Sequence, residues 1–194
     1  HKRRLPWRGI NDPYQTWVSE IMLQQTTVAA VIPKFKRWIT VFPTMESLAR
    51  ASLQKVLREW QGLGYYNRAK NLQRAAQIMC REHDGRVPAD QKILLTIPGF
   101  GPYTAGAVLS IAYHQRVAII DANIRLVIMR VLALPGKADG KCDPIIYEYL
   151  KTVMPSRSAG NFNQALMELG ALICSQNKPL CLQCPLRRYC TAYE

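Results

Sequence analysis

Apolar residues recur at three- and four-residue spacing along almost the whole chain. Trp17, Val18, Ile21 and Met22 share one helical face, and Leu72, Ala75, Ala76 and Met79 share another. Such stripes predict amphipathic helices that each bury one side. Helix-start residues stand in front of several of them. Thr44 precedes Met45-Glu46-Ser47-Leu48, Ser52 precedes Leu53-Gln54-Lys55-Val56, and Asn161 precedes Phe162. Each carries a side-chain oxygen that can accept a hydrogen bond from the open N–H groups of a first turn. Strand-like alternation is nearly absent. Val117-Ala118-Ile119-Ile120 is the one run that suits extended backbone, and it reads as a short buried connection between helices. Glycine and proline punctuate at Gly62 to Gly64, Gly85 to Pro88, Pro98 to Pro102 and Pro135 to Gly140. The pattern predicts an all-α fold of about ten short helices, without a long linker, low-complexity tract or internal repeat.

Size and charge add a partner to that picture. A chain of 194 residues with 48% apolar content can form one large domain or two small interleaved lobes. No stretch approaches the roughly 20 apolar residues that cross a bilayer, so a soluble protein with no membrane partner is expected. Lys and Arg number 26 against 13 acidic residues, a net charge of +13 spread through the chain rather than confined to a tail. That distribution fits a folded surface that meets a polyanion, most simply DNA or RNA. A membrane-surface protein or a merely solvated surface would share it.

The chain closes on Cys174, Cys181, Cys184 and Cys190, spaced x6, x2 and x5. Four thiolates in one short loop can converge on a Zn²⁺ ion or an iron–sulfur cluster. Disulfides are the alternative. The lack of a secretory segment and the two isolated cysteines, Cys80 and Cys142, favour a reducing compartment instead. Two paired Cys-x2-Cys motifs are common in structural zinc sites, whereas only Cys181 and Cys184 are so paired here.

One break carries further chemistry: Leu95-Thr96-Ile97-Pro98-Gly99-Phe100-Gly101-Pro102-Tyr103-Thr104-Ala105-Gly106-Ala107. A helix ending at Ile97, a tight turn through Gly99 and Gly101, and Pro102 at the first position of the next helix make a hairpin. Its glycines leave backbone N–H groups open at a helix N-terminus, where the partial positive charge attracts phosphate. An ordinary helix connector would look similar. Asp121, in Ile120-Asp121-Ala122-Asn123, places a carboxylate at a later helix start, either as a plain N-cap or facing a cleft.

Taken together, the hairpin, Asp121 and the Cys-x6-Cys-x2-Cys-x5-Cys loop resemble the helix-hairpin-helix DNA glycosylases related to endonuclease III. Within that superfamily, Leu5-Pro6-Trp7-Arg8, Trp17-Val18-Ser19-Glu20-Ile21-Met22-Leu23-Gln24-Gln25-Thr26 and Gly62-Leu63-Gly64-Tyr65-Tyr66 resemble the adenine DNA glycosylases of the MutY type. The resemblance runs from Leu5 to Cys190. It implies a helix-hairpin-helix glycosylase fold in two helical lobes. The central lobe would span 24–112 with the hairpin at 94–107, and the second would combine 1–23 with 113–194 and carry the cysteine loop at 174–190.

The implied reaction is hydrolysis of the N-glycosidic bond of adenine mispaired with 8-oxoguanine or guanine in double-stranded DNA. Such a step needs an acid for the departing base and an anion for the developing sugar cation. Glu20, flanked by Val18, Ile21 and Leu23, is expected to face inward, where burial raises a carboxyl pKa and leaves an acid able to protonate N7 of adenine. Taken alone it would equally read as a solvated helix carboxylate. Asp121 is implied to stabilise the cationic or covalent sugar intermediate, with Asn123 orienting it. Tyr103 stands where the lyase branch has a lysine. A phenol cannot form a Schiff base, so a monofunctional enzyme that leaves the abasic strand intact is expected, with Tyr103 as a hydrogen-bonding partner.

Base chemistry inside a duplex requires extrusion of the nucleotide, and the gap must be filled. The resemblance assigns Gln25 and Tyr65 to that gap, and at least one of Tyr65 and Tyr66 is expected in the core. Trp7, Arg8, Leu23 and Gln164 match positions that line the adenine pocket. Gly99 and Gly101, with Lys178, Arg187 and Arg188 of the cysteine loop, are implied to meet phosphates. The four cysteines are implied to hold a [4Fe-4S] cluster with a structural, DNA-positioning role, zinc being the alternative.

Two positions depart from the adenine branch: Thr27 stands where glutamine is usual and Ala122 where glycine is usual. Asp121-Ala122-Asn123 itself resembles the thymine-mismatch branch. A thymine or uracil mismatch glycosylase is therefore a second expectation, and a non-catalytic DNA-binding or redox-sensing iron–sulfur protein a third. The chain stops four residues after Cys190. Full-length relatives continue into a domain that helps recognise 8-oxoguanine, so that domain is expected to be absent here, and His1 as first residue suggests a trimmed chain. A monomer is expected, in the cytoplasm or nucleoid of a prokaryote, or in the nucleus or mitochondrion of a eukaryote.

Overall fold

A computed structural model describes residues 3–193. Helix dominates and no strand occurs among the described residues, as the periodicity predicts. No helix among them is long and apolar enough to cross a membrane. Contacts divide the described residues into two compact units, residues 4–113 and residues 114–193 joined by Arg3.

Seven helices form the 4–113 unit: α1 Pro13–Leu23, α2 Val28–Val41, α3 Met45–Ala49, α4 Leu53–Trp60, α5 Asn67–Glu82, α6 Gln91–Thr96 and α7 Pro102–Ile111. Their starts follow local chemistry. Asp12 accepts from the N–H of Tyr14 at 2.8 Å and of Gln15 at 3.2 Å, and Pro13, which has no N–H to leave unpaired, opens α1. Thr44 and Ser47 satisfy each other's backbone as a capping box at α3, and Ser52 caps α4. Thr27 caps α2 by accepting from the Ala30 N–H.

α7 is buried along Thr104–Ser110, and α1 packs against it and against α2 and α5. Trp17, Trp38, Trp60, Phe42, Leu72 and Met79 fill the core of this unit. Trp38 meets Phe42 and Trp60 edge-on at 4.8 and 5.5 Å between ring centres, the arrangement that ring quadrupoles favour. Because the Trp17 face of α1 packs on α7, residues 4–23 group with 24–113 and not with the C-terminal part, where a lobe of 1–23 plus 113–194 was expected. Among the described residues before α1, only Arg3 crosses over. Arg3 does so through a two-pronged contact with Glu168, both bonds at 2.8 Å.

The second unit contains α8 Ala122–Val131, α9 Asp143–Val153 and α10 Ala159–Leu172, followed by three single 3-10 turns through residue 193. Val117–Ile120 is a partly buried connection without strand pairing, tied down by the Asn163 amide, which donates to the Val117 carbonyl at 2.9 Å. Arg125 forks onto Asp143 at 2.6 and 2.7 Å and joins α8 to the start of α9. The helix expected to start at Asn161 starts earlier. Ser158, in a left-handed conformation at φ 65°, turns the chain into α10, and Asn161 lies within its first turn.

Candidate active site

Glu20 lies on the third turn of α1, whose other buried residues include Trp17, Val18, Ile21 and Met22. It is only 5% exposed, so the inward orientation expected of it is observed. The Tyr103 hydroxyl donates to its Oε2 at 2.7 Å. The hairpin sets that geometry. α6 ends at the Ile97 cap, Gly99 turns at φ 86°, and the Phe100 ring stacks on Trp17 at 5.4 Å and 12°. Gly101 then caps α7 in extended backbone, Pro102 takes the first helical position and Tyr103 the second. Gln24, capping the other end of α1, donates from Nε2 to Thr104 Oγ1 at 3.3 Å. Gly101 is exposed, has no side-chain cap and would hold a Cβ in open space, so the N-terminal end of α7 is accessible to an anion.

Gln25 and Tyr65 both line a wide concavity of about 740 Å³, together with Gln24, Tyr66, Asn67 and Arg68. Both are non-glycine residues in the left-handed region, at φ 53° and 46°. Tyr65 is 62% and Tyr66 43% exposed, which corrects the expectation that one of them is core. Gly62 and Gly64, at φ 91° and 67°, lift the tyrosine pair outward, while Leu63 fills the interior and the Trp60 indole N–H donates to the Gly64 carbonyl at 2.9 Å. Arg68 borders the concavity and gave no signal in the sequence, where it is one cation among 26.

In the second unit Asp121 caps α8. Its Oδ1 accepts from the Ile124 N–H at 2.7 Å and its Oδ2 from the Asn123 amide at 2.8 Å. Ala122, the departure noted beside it, is exposed at the first position of α8. α10 crosses close by at Gly170, where a Cβ would lie 2.6 Å from Asn123 Cβ and 2.7 Å from its carbonyl oxygen. Gln164 is half-buried on α10. In the first unit, Trp7 is buried edge-on against Phe35 at 5.4 Å, and Arg8 and Leu23 are half-buried. None of Trp7, Arg8, Leu23 and Gln164 borders the concavity described above.

Cys174, Cys181, Cys184 and Cys190 line one cavity of about 150 Å³, with Arg130, Ile173, Pro179, Arg187, Ala192 and Tyr193. All six cysteines are free of disulfides. Among the described residues no three His, Cys, Asp or Glu side chains gather closely enough for a single metal ion. Arg130 of α8 fastens the loop. Its Nη1 donates to the carbonyls of Cys174 at 3.1 Å and Ser175 at 2.8 Å and to Cys174 Sγ at 3.3 Å, and its Nη2 to the Gln176 carbonyl at 2.9 Å. Lys178 and Arg188 are exposed, and Arg187 is half-buried with its guanidinium 5.8 Å from the centre of the Tyr193 ring.

Residues 18–150 match the family described as HhH-GPD superfamily base excision DNA repair protein. The chain belongs to this superfamily. Among its HhH-GPD relatives, the adenine DNA glycosylase of Mus musculus is 40% identical over 203 residues, covering 100% of this chain and 39% of that protein. That of Mycobacterium tuberculosis (strain H37Rv) is 44% identical over 189 residues, covering 95% and 61%. That of Buchnera aphidicola from Acyrthosiphon pisum is 40% identical over 192 residues, covering 98% and 55%. The chain thus spans about half the length of the Buchnera relatives it matches. A solved thermostable thymine-DNA glycosylase superposes with a TM-score of 0.89 at 30% identity, covering 98% of this chain and 88% of that one. An endonuclease III–DNA complex superposes with a TM-score of 0.81 at 23% identity, covering 94% and 84%, and shares the fold.

Proposed function

We propose that this chain is the catalytic part of a DNA glycosylase that hydrolyses the N-glycosidic bond of adenine mispaired with 8-oxoguanine or guanine in double-stranded DNA. The observation that carries this reading is Glu20, buried on α1 and held by the Tyr103 hydroxyl at 2.7 Å. Burial removes the water that would stabilise an ionised carboxylate, so Glu20 suits the acid that gives its proton to N7 of the leaving adenine. Once ionised, it accepts a proton from the water that attacks the sugar carbon. Asp121, held by two donors, supplies the negative charge that the cationic sugar needs. Tyr103 occupies the position where an amine would make the enzyme a lyase. Base release therefore leaves the strand unbroken.

Gln25 and Tyr65 fill the space of the extruded nucleotide, and Trp7, Arg8, Leu23 and Gln164 contact the base. The backbone at Gly99 and Gly101, at the N-terminal end of α7, holds a phosphate, as do Lys178, Arg187 and Arg188. Cys174, Cys181, Cys184 and Cys190 hold a [4Fe-4S] cluster. A cavity with thiols around its wall suits a group of several atoms better than one zinc ion. When bound, the cluster gives structural closure of the loop and no step of base release passes through it. The protein works as a monomer.

A thymine-mismatch activity is the second reading, favoured by the 30% identity to the thermostable thymine-DNA glycosylase and by Asp121-Ala122-Asn123. Duplexes carrying A opposite 8-oxoguanine, A opposite G and T opposite G decide between them. Adenine release, with strand breaks appearing only after alkali, is expected. Thymine release would overturn the substrate assignment, and equal breakage without alkali would overturn the monofunctional one.

A further inference from the structure

Arg68 stands in the first turn of α5, yet its guanidinium reaches two loops of its own unit. Nη1 donates to the carbonyls of Ile21 at 2.8 Å, Met22 at 3.0 Å and Gln24, the open carbonyls at the end of α1. Nη2 donates to the carbonyls of Leu63 at 2.9 Å and Gly64 at 3.3 Å and to Thr26 Oγ1 at 3.0 Å. Thr26 Oγ1 donates in turn to the Gln24 carbonyl at 3.2 Å or the Leu63 carbonyl at 3.3 Å. The guanidinium plane lies 5.2 Å from the Trp60 ring centre and 5.5 Å from that of Tyr65.

These acceptors have a pattern. Arg68 holds the carbonyl immediately before Gln25 and the carbonyl immediately before Tyr65, and those are the two left-handed residues that line the concavity. A non-glycine residue stays in that region only when its surroundings fix it there. One planar, multiply donating group fixes both, and the single ammonium of a lysine could not span the same acceptors. Nε of Arg68 is buried without a partner, as is the Trp17 indole nitrogen, and both residues line a cavity of about 50 Å³.

We infer that Arg68 is a positioning residue that clamps loop 24–26 to loop 63–65 and so presents Gln25 and Tyr65 together at the groove. This rests on the reading that both residues fill the gap left by the extruded adenine.

Arg68→Lys, in the full chain, tests it by hydrogen exchange and by single-turnover adenine release. Amides of 24–26 and 63–66 should exchange together about tenfold faster, with α7 unchanged. Release from a duplex with A opposite 8-oxoguanine should fall about tenfold while affinity for an undamaged duplex holds within about twofold. In a Gln25→Ala/Tyr65→Ala background the same change should add less than about twofold, because Arg68 acts through those residues. Should Arg68→Lys fail to fold, Thr26→Val removes one shared partner and should loosen both loops by a smaller factor. Unchanged exchange in both loops overturns the clamp, and so does a full multiplicative loss in the alanine background. If Gln25→Ala/Tyr65→Ala itself releases adenine at the wild-type rate, the gap-filling reading fails, and exchange alone decides the clamp.

Discussion

The Tyr103 hydroxyl donates to Glu20 Oε2 at 2.7 Å, linking the second residue of α7 to the third turn of α1. The hairpin that precedes Tyr103 therefore does two things with one stretch of chain. It leaves the N-terminal end of α7 without a side-chain cap at Gly101, and it delivers a phenol to the buried carboxyl. Tyr103→Phe keeps the ring and removes the donor. Loss of a hydrogen bond to such a group costs about 1.5–3 kcal/mol, so single-turnover base release should slow by roughly ten- to a hundredfold with the helical circular dichroism intact. Glu20→Gln should abolish release under the same conditions. A Tyr103→Phe enzyme running at full rate would show that the phenol has no part in preparing the carboxyl.

Gly170 and Gly101 form a contrasting pair. A methyl at Gly170 meets Asn123 Cβ at 2.6 Å and its carbonyl oxygen at 2.7 Å, whereas one at Gly101 meets nothing within 4 Å. Alanine is the better helix former by about 1 kcal/mol, but forcing backbone apart costs about 1–3 kcal/mol. Gly170→Ala should therefore lower Tm by a few degrees, about 1 kcal/mol in net stability. It should also depress base release, because Asn123 holds Asp121 Oδ2. Gly101→Ala should leave Tm unchanged and weaken binding to undamaged duplex, since the new methyl partly covers the N–H groups of α7. Equal Tm for the two variants would contradict the close approach of α10 to α8.

How much of this was legible beforehand depended on whether the signal was local. Caps at Thr44, Ser52 and Asp121 are properties of four consecutive residues, and the structure has all three. Asn161 failed because Ser158 starts its helix from a left-handed conformation that side-chain identity does not announce. The Tyr65–Tyr66 pair failed for a related reason. Aromatic residues usually pack inward, and only the two flanking glycines, both at positive φ, turn this pair outward. Arg68 was invisible because its partners, five backbone carbonyls and the Thr26 hydroxyl, lie from 4 to 47 residues away. The division of the chain shifted because α1 carries an apolar face whose partner, α7, lies some 80 residues downstream, as the Gln24–Thr104 bond also shows.

Acid stability should report on Arg37 and Glu59. Arg37 forks onto the buried Glu59, with Nη2 donating to Oε1 at 3.0 Å, and this pairing holds the Glu59 carboxyl below its ordinary value of 4.5. A carboxyl depressed in the folded state stabilises the fold above its unfolded value, and that contribution is lost as pH falls through the folded value. Tm should therefore decline as pH drops below 4.5, and Arg37→Met, which removes the partner that depresses the carboxyl, should lower Tm at neutrality and flatten that acid decline. An acid limb unchanged by Arg37→Met would show that other carboxyls dominate it.

Metal content separates the two readings of the cysteine cavity. A [4Fe-4S] group would give roughly four iron and four acid-labile sulfide per chain, whereas a structural zinc site would give about one zinc and no sulfide. Anaerobically purified protein should contain iron and sulfide, with visible absorption that dithionite or oxidation alters. Cys184→Ser should lose most of that iron, because it removes one of four thiols around a cavity of about 150 Å³. Arg130→Met is the sharper probe of the loop. Its guanidinium holds the carbonyls of Cys174, Ser175 and Gln176, so its loss should speed iron release to a chelator without changing the initial stoichiometry. Protein that binds one zinc and no iron, with Arg130→Met releasing metal at the wild-type rate, would overturn both the cluster and the role of Arg130 in closing its loop.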